Sequence, residues 1–206
     1  MISVRALARR EREEFADLLD GLSPQQWRAP TLCVGWTVRD VAAHTLSYLG
    51  QTRLGLTAAM LAARGRVDRL NARALRAGAG SGPDELRALM RVGVDPSGAG
   101  ALYGCRVALI ECLIHQQDIR RPLGLPRIIP PDALRASLTY ARVSPVIGGA
   151  WHTRGLRLVA TDLDWSAGRG REIRGPAEAL LLAMTGRIGA VAAELHGPGL
   201  AELGRR

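Results

Sequence analysis

Lysine is absent from the 206-residue sequence, and aromatic residues make up only 4% of it. All 28 cationic side chains are therefore arginine, spread from Arg5, Arg9 and Arg10 through Arg53, Arg64, Arg66 and Arg106 onward rather than gathered in one block. A formal charge of +9 attracts phosphate. Dispersed arginines with few stacking platforms nevertheless argue for a solvated surface over a nucleic-acid groove. No specific nucleic-acid partner is expected, and anionic small molecules remain compatible. Cysteine is scarce too: Cys33, Cys105 and Cys112 are an odd number, too few for a disulfide framework and not spaced as a zinc finger. They are expected as reduced thiols. No apolar run approaches the roughly 20 residues that cross a bilayer, and the opening MISVRALARREREEF turns charged at once. A cytoplasmic protein without a membrane partner is the expectation. What is plentiful is ordinary: 47% hydrophobic and 23% charged residues exclude wholesale disorder.

Residues 3 to 21 place Val4, Leu7, Phe15, Leu18 and Leu19 at helical spacing and end at Gly21, which predicts an amphipathic helix. Ser23, Pro24 and Gln26 read as a cap, a first-turn proline and a capping partner for a short turn carrying Trp27. Thr37 and Asp40 form a sharper start signal, predicting a long second helix to about Arg64 that carries His44. Further helices are expected over Val67 to Ala77, in SGPDELRALM, from about Ala101 to Arg121 and in DALRASLTYARV, the prolines from Pro122 to Pro131 marking a loop. Beyond Pro145, LRLVATDLDW alternates like a strand, GRGRE reads as a turn, EIRG as a short second strand, and GPAEALLLAMTGRIGAVAAELHG as an apolar helix interrupted near Gly186. The fold class expected is mainly α: a helical bundle over residues 1–142 and a small α+β appendage over 143–206.

Glu111 and His115 are one turn apart on a helix, so both project from one face. That spacing suits two ligands of one metal, and equally an ordinary helical contact. Their neighbours Leu109, Ile110, Leu113 and Ile114 are apolar, and a carboxylate beside them is costly unless paired or metal-bound. His44, with Val41 and Tyr48 at helical spacing, reads alone as an inward-facing core histidine. Asp118 can orient His115 from behind or pair on the surface. Trp36 reads as a core residue before a substrate contact, Cys33 as a buried inert thiol before one that approaches the mouth of the site, and Cys112, about 100° around the helix from Glu111, does not share its direction. Arg187 either reaches an anionic group or forms a surface ion pair.

The runs PTLCVGWTVRDVAAHTL and ECLIHQQDIRRPLG together resemble the DinB-like superfamily, in particular its mycothiol-dependent maleylpyruvate isomerase branch. ATDLDWSAGRG and REIRGPAEALLLAMTGR resemble the small domain appended in that branch, while residues from about 55 to 100 carry no resemblance. The resemblance implies a four-helix core in which His44, Glu111 and His115 hold one divalent metal, zinc first, with an open position. It further implies mycothiol as cosubstrate, an electrophilic substrate, and transferase or isomerase activity in a monomer or homodimer. A noncatalytic metal sensor and a metal-hydroxide hydrolase remain the alternatives.

Overall fold

The structure, a computed structural model, describes residues 2–47, 51–64, 67–78 and 80–203. The contacts divide it into two compact units, Met1–Arg127 and Ile128–Arg206.

In the first unit α1 spans Val4–Asp20, capped by Ser3, whose hydroxyl accepts from the Ala6 amide, and stopped at Gly21. A 3₁₀ turn follows at Gln26–Arg28, and the predicted capping box is present: the Ser23 amide donates to Gln26 Oε1 at 2.9 Å and the Gln26 amide to Ser23 Oγ at 3.2 Å. Trp27 on that turn is buried. Next come α2 (Val38–Ser47), α3 (Arg53–Ala62), α4 (Val67–Ala77) and α5 (Pro83–Val92). The single long helix expected to Arg64 is not formed, because Gln51 and Thr52 are non-helical and Thr52 caps α3 by accepting from the Gly55 amide at 3.0 Å. Tyr48 lies outside the described residues.

A 3₁₀ turn at Gly98–Ala101 leads into α6 (Leu102–Leu123). Its first turn is irregular, with Tyr103, Gly104 and Cys105 all in the left-handed region at φ 52°, 65° and 67°. The helix ends where Gly124, at φ 65°, turns the chain so that its amide and that of Leu125 return to the carbonyls of Arg121 and Arg120. One hydrophobic core is shared by Phe15, Ala16, Leu18 and Leu19 of α1, Val38, Val41, Ala42 and Leu46 of α2, Leu86 and Met90 of α5, and Cys112 and Ile119 of α6. A buried polar seam ties α1 to α6: Glu11 accepts from Gln116 Nε2 at 2.7 Å and from Arg127 at 2.5 Å, and Arg127 also holds Glu14.

The second unit begins with α7 (Pro131–Val143), which packs on α8 (Gly149–His152) and α9 (Ala177–Met184). The expected boundary at 142/143 therefore lies one helix beyond the division of contacts. A three-stranded sheet has the order β2-β1-β3, with β1 at Leu156–Ala160, β2 at Ser166–Gly168 and β3 at Arg171–Gly175. Strand β1 pairs antiparallel with β2 and parallel with β3, matching Leu158 to Ala167 and to Ile173. β2 takes in the first residue of the stretch read as a turn, Gly168, which approaches so closely that a Cβ there would sit 2.1 Å from the Leu156 carbonyl oxygen. The chain continues through α10 (Ile188–Val191), a 3₁₀ turn at Ala192–Glu194 and α11 (Leu200–Leu203). The expected interruption at Gly186 separates α9 from α10.

Candidate metal centre

The Thr37–Asp40 capping box sets the start of α2. The Thr37 amide donates to Asp40 Oδ2 at 3.0 Å, and the Asp40 amide to Thr37 Oγ1 at 3.3 Å. With the first turn fixed, His44 falls on the buried face beside Val41 and Ala42. On α6 the four-residue spacing does the same for Glu111 and His115, set among buried Leu109, Ile110, Cys112, Leu113 and Ile114.

The three side chains converge. Glu111 Oε2 lies 3.3 Å from His115 Nε2 and 3.6 Å from His44 Nε2, and all three donor atoms fall within 4.8 Å of one another. Ligands held about 2.0–2.1 Å from a tetrahedral zinc stand roughly 3.4 Å apart, so the spacing fits a shared cation. The histidine rings meet edge to face with centroids 4.9 Å apart. Glu111 keeps 19% of its side chain exposed, against 3% for His44 and 8% for His115, so the carboxylate marks the open side of the cluster.

Behind His115, Asp118 is fully buried and its Oδ2 lies 2.8 Å from His115 Nδ1. A carboxylate there accepts the Nδ1 proton, so that Nε2, the atom facing Glu111, is the nitrogen whose lone pair a metal would take once its proton is lost. Burial opposes charge on Glu111, but hydrogen bonds from His115 and then His44 outweigh it and hold the carboxyl well below its ordinary range. Burial likewise opposes protonation of His115, while Asp118, Cys33 and Glu111 raise it well above its ordinary value of 6.5. The set thus combines an ionised carboxylate with two imidazoles whose Nε2 atoms meet one oxygen, a donor set suited to zinc.

Other residues weighed in the sequence have settings of their own. Cys112 is buried, and desolvation pushes its thiol up to about 12, consistent with an inert packing residue. Cys105 is buried at the irregular start of α6. Arg187 donates to the Thr185 carbonyl at 2.6 Å within its own unit. Two residues read first as core take part in the surroundings of the cluster. Trp36 packs edge-on against His44 with centroids 5.0 Å apart, and the half-buried Cys33 places Sγ 3.1 Å from Asp118 Oδ2. The one sequence signal for either was membership of the block that runs from Pro30 to His44.

The fold and the cluster first define a class, a mainly helical protein whose histidines and carboxylate converge between α2 and α6. Residues 8–101 match the family model of the mycothiol maleylpyruvate isomerase N-terminal domain. The match includes Cys33, Trp36 and His44 and runs through the stretch from residue 55 to 100 that showed no resemblance by motif; Glu111, His115 and Asp118 lie beyond it. Among solved structures, the mycothiol-dependent maleylpyruvate isomerase is similar at a TM-score of 0.61 and 16% identity, over 95% of this chain and 91% of that one. A histidine-to-alanine mutant of the same enzyme is similar at 0.62, with the same identity and coverage. At this identity the likeness establishes the fold. No curated protein matches the chain by sequence.

Proposed function

We propose that the protein is a thiol-dependent enzyme of the mycothiol transferase or isomerase type, holding one divalent metal, zinc first, between His44, Glu111 and His115. The observation that carries the reading is the meeting of two imidazole Nε2 atoms on one oxygen of Glu111. The family-model match over residues 8–101 supports the thiol. A metal in such a site supplies Lewis acidity that keeps a bound thiol deprotonated at neutral pH.

The chain's own residues have separate tasks in this reading. With a metal bound, His44 and His115 would present neutral Nε2 donors from two different helices. Asp118 fixes the His115 tautomer by accepting from Nδ1. Glu111 contributes the negative charge on the solvent side, where thiol and electrophile arrive. Arg187 is the cation proposed to meet an anionic group of the thiol or substrate. A metal sensor or a metal-hydroxide hydrolase would use the same ligands, but neither accounts for the family-model match.

Elemental analysis of the purified protein tests the ligand set. About one metal per chain is expected, lost or strongly weakened in His44→Ala, Glu111→Ala and His115→Ala. Wild-type metal content in all three variants would show that the ligands lie elsewhere.

A further inference from the structure

The loop between Pro30 and Thr37 is closed on itself before it touches anything else. Pro30 and Thr37 pair across its base, the Thr31 amide and hydroxyl both reach the Trp36 carbonyl at 3.1 and 3.0 Å, and the Trp36 amide returns to the Cys33 carbonyl at 2.9 Å. Such a loop is stiff, because its own backbone groups satisfy one another. From this frame, contacts run outward to both arms of the cluster. On α6 the Leu32 amide donates to the Asp118 carbonyl at 3.1 Å and Cys33 Sγ lies 3.1 Å from Asp118 Oδ2. On α2 the Trp36 ring stands edge-on against His44 at 64°.

Asp118 Oδ2 is the oxygen that accepts from His115 Nδ1 at 2.8 Å. One carboxylate oxygen therefore receives the thiol and the imidazole together. Asp118 is fully buried, and the rotation of a carboxylate about its last bond is soft, so its orientation comes from its protein donors. Cys33 groups in space with His115 and Asp118, and not with the set formed by His44, Glu111 and His115. Its place is behind the histidine rather than at the shared cation.

We propose that this loop is a clamp on the metal centre and that Cys33 is a positioning residue, its thiol holding the Asp118 carboxylate so that His115 presents Nε2 to the metal. The inference rests on the metal reading above. Trp36 restrains His44 from the same frame, so one loop sets the directions of two ligands that arise from separate helices. Ordinarily such outer partners are worth ten- to hundredfold in metal affinity, and a thiol is a weak donor. An effect at the lower end follows.

Zinc affinity of the full chain, measured by chelator competition, tests the clamp. Cys33→Ala should weaken zinc about tenfold, and Cys33→Ser, which keeps a donor, should stay within about threefold of wild type. The metal-free melting temperature should move by less than about 3 °C. Should Cys33→Ala not fold, Cys33→Val fills the space without donating to the carboxylate and carries the same expectation. Unchanged zinc affinity in Cys33→Ala, alongside loss in His44→Ala, would overturn the clamp and leave the metal site standing. A wild-type chain that binds no zinc would overturn both. A sulfur-to-cobalt band in the thiol-free cobalt protein that vanishes in Cys33→Ala would make Cys33 a direct ligand and overturn the positioning role.

Discussion

Glu111 and His115 hold opposite protonation preferences across a gap of 3.3 Å, and this fixes how pH acts on the site. In the metal-free protein, the raised pKa of His115 gives a contribution to stability that is full below its ordinary value of 6.5 and is lost as pH rises through the raised value. Glu111 behaves inversely: its contribution is full above its ordinary value of 4.5 and is lost as pH falls through its depressed one. A metal at His115 Nε2 must displace the proton that Asp118 helps to retain, so metal affinity should rise with pH. Chelator competition for zinc should show that rise continuing above pH 6.5, the ordinary histidine value. Asp118→Asn, which removes the charge behind the ring, should flatten its upper part. Affinity independent of pH would contradict ligation by His115. At this scale the sequence was partly legible. The spacing of Glu111 and His115 declares a shared face, whereas His44 joins them only through the resemblance of its whole block. Cys33 shares that block, but its pairing with Asp118 left no trace, because a thiol facing a carboxylate on a helix far along the chain has no spacing to read.

Helix starts were the most legible elements, since capping is local: the Ser23–Gln26 pair and the Thr37–Asp40 pair both appear where their side chains announced them. Errors fell where local signal competes. The apolar pattern after His44 persists past the break that Thr52 makes, so α2 and α3 read as one helix. Strand β2 lacks β-branched residues and forms because β1 offers it an edge. The polar seam between α1 and α6 was likewise invisible, because Glu11 and Arg127 look solvated in sequence. In the fold Glu11 is buried and Arg127 nearly so, and burial pushes the Glu11 carboxyl up despite the guanidinium beside it. Arg127→Leu strands that carboxylate and should cost about 3–5 kcal/mol. The corresponding fall in melting temperature is roughly 10 °C. A change within about 2 °C would mean the seam carries little of the stability.

The chain divides into two compact units, the first built around the shared core of α1, α2, α5 and α6 and the second around α7, α9 and the sheet. Among the described residues no helix is long and apolar enough to cross a membrane. Arginine alone supplies the net positive charge of +9, which favours anionic small molecules at the surface. Arg187 is the cation proposed to meet such a group, so Arg187→Ala should leave the metal content unchanged while raising the mycothiol concentration needed for half-saturation. Activation of a thiol at the metal is decided by adding mycothiol to the cobalt-substituted protein, with thiol-free protein and a Cys33→Ser, Cys105→Ser, Cys112→Ser triple variant as references. A new sulfur-to-cobalt charge-transfer band is expected in wild type and triple variant alike, and none in Glu111→Ala once its metal is lost. Mycothiol binding to the triple variant with no change in the cobalt spectrum would contradict thiolate formation at this site.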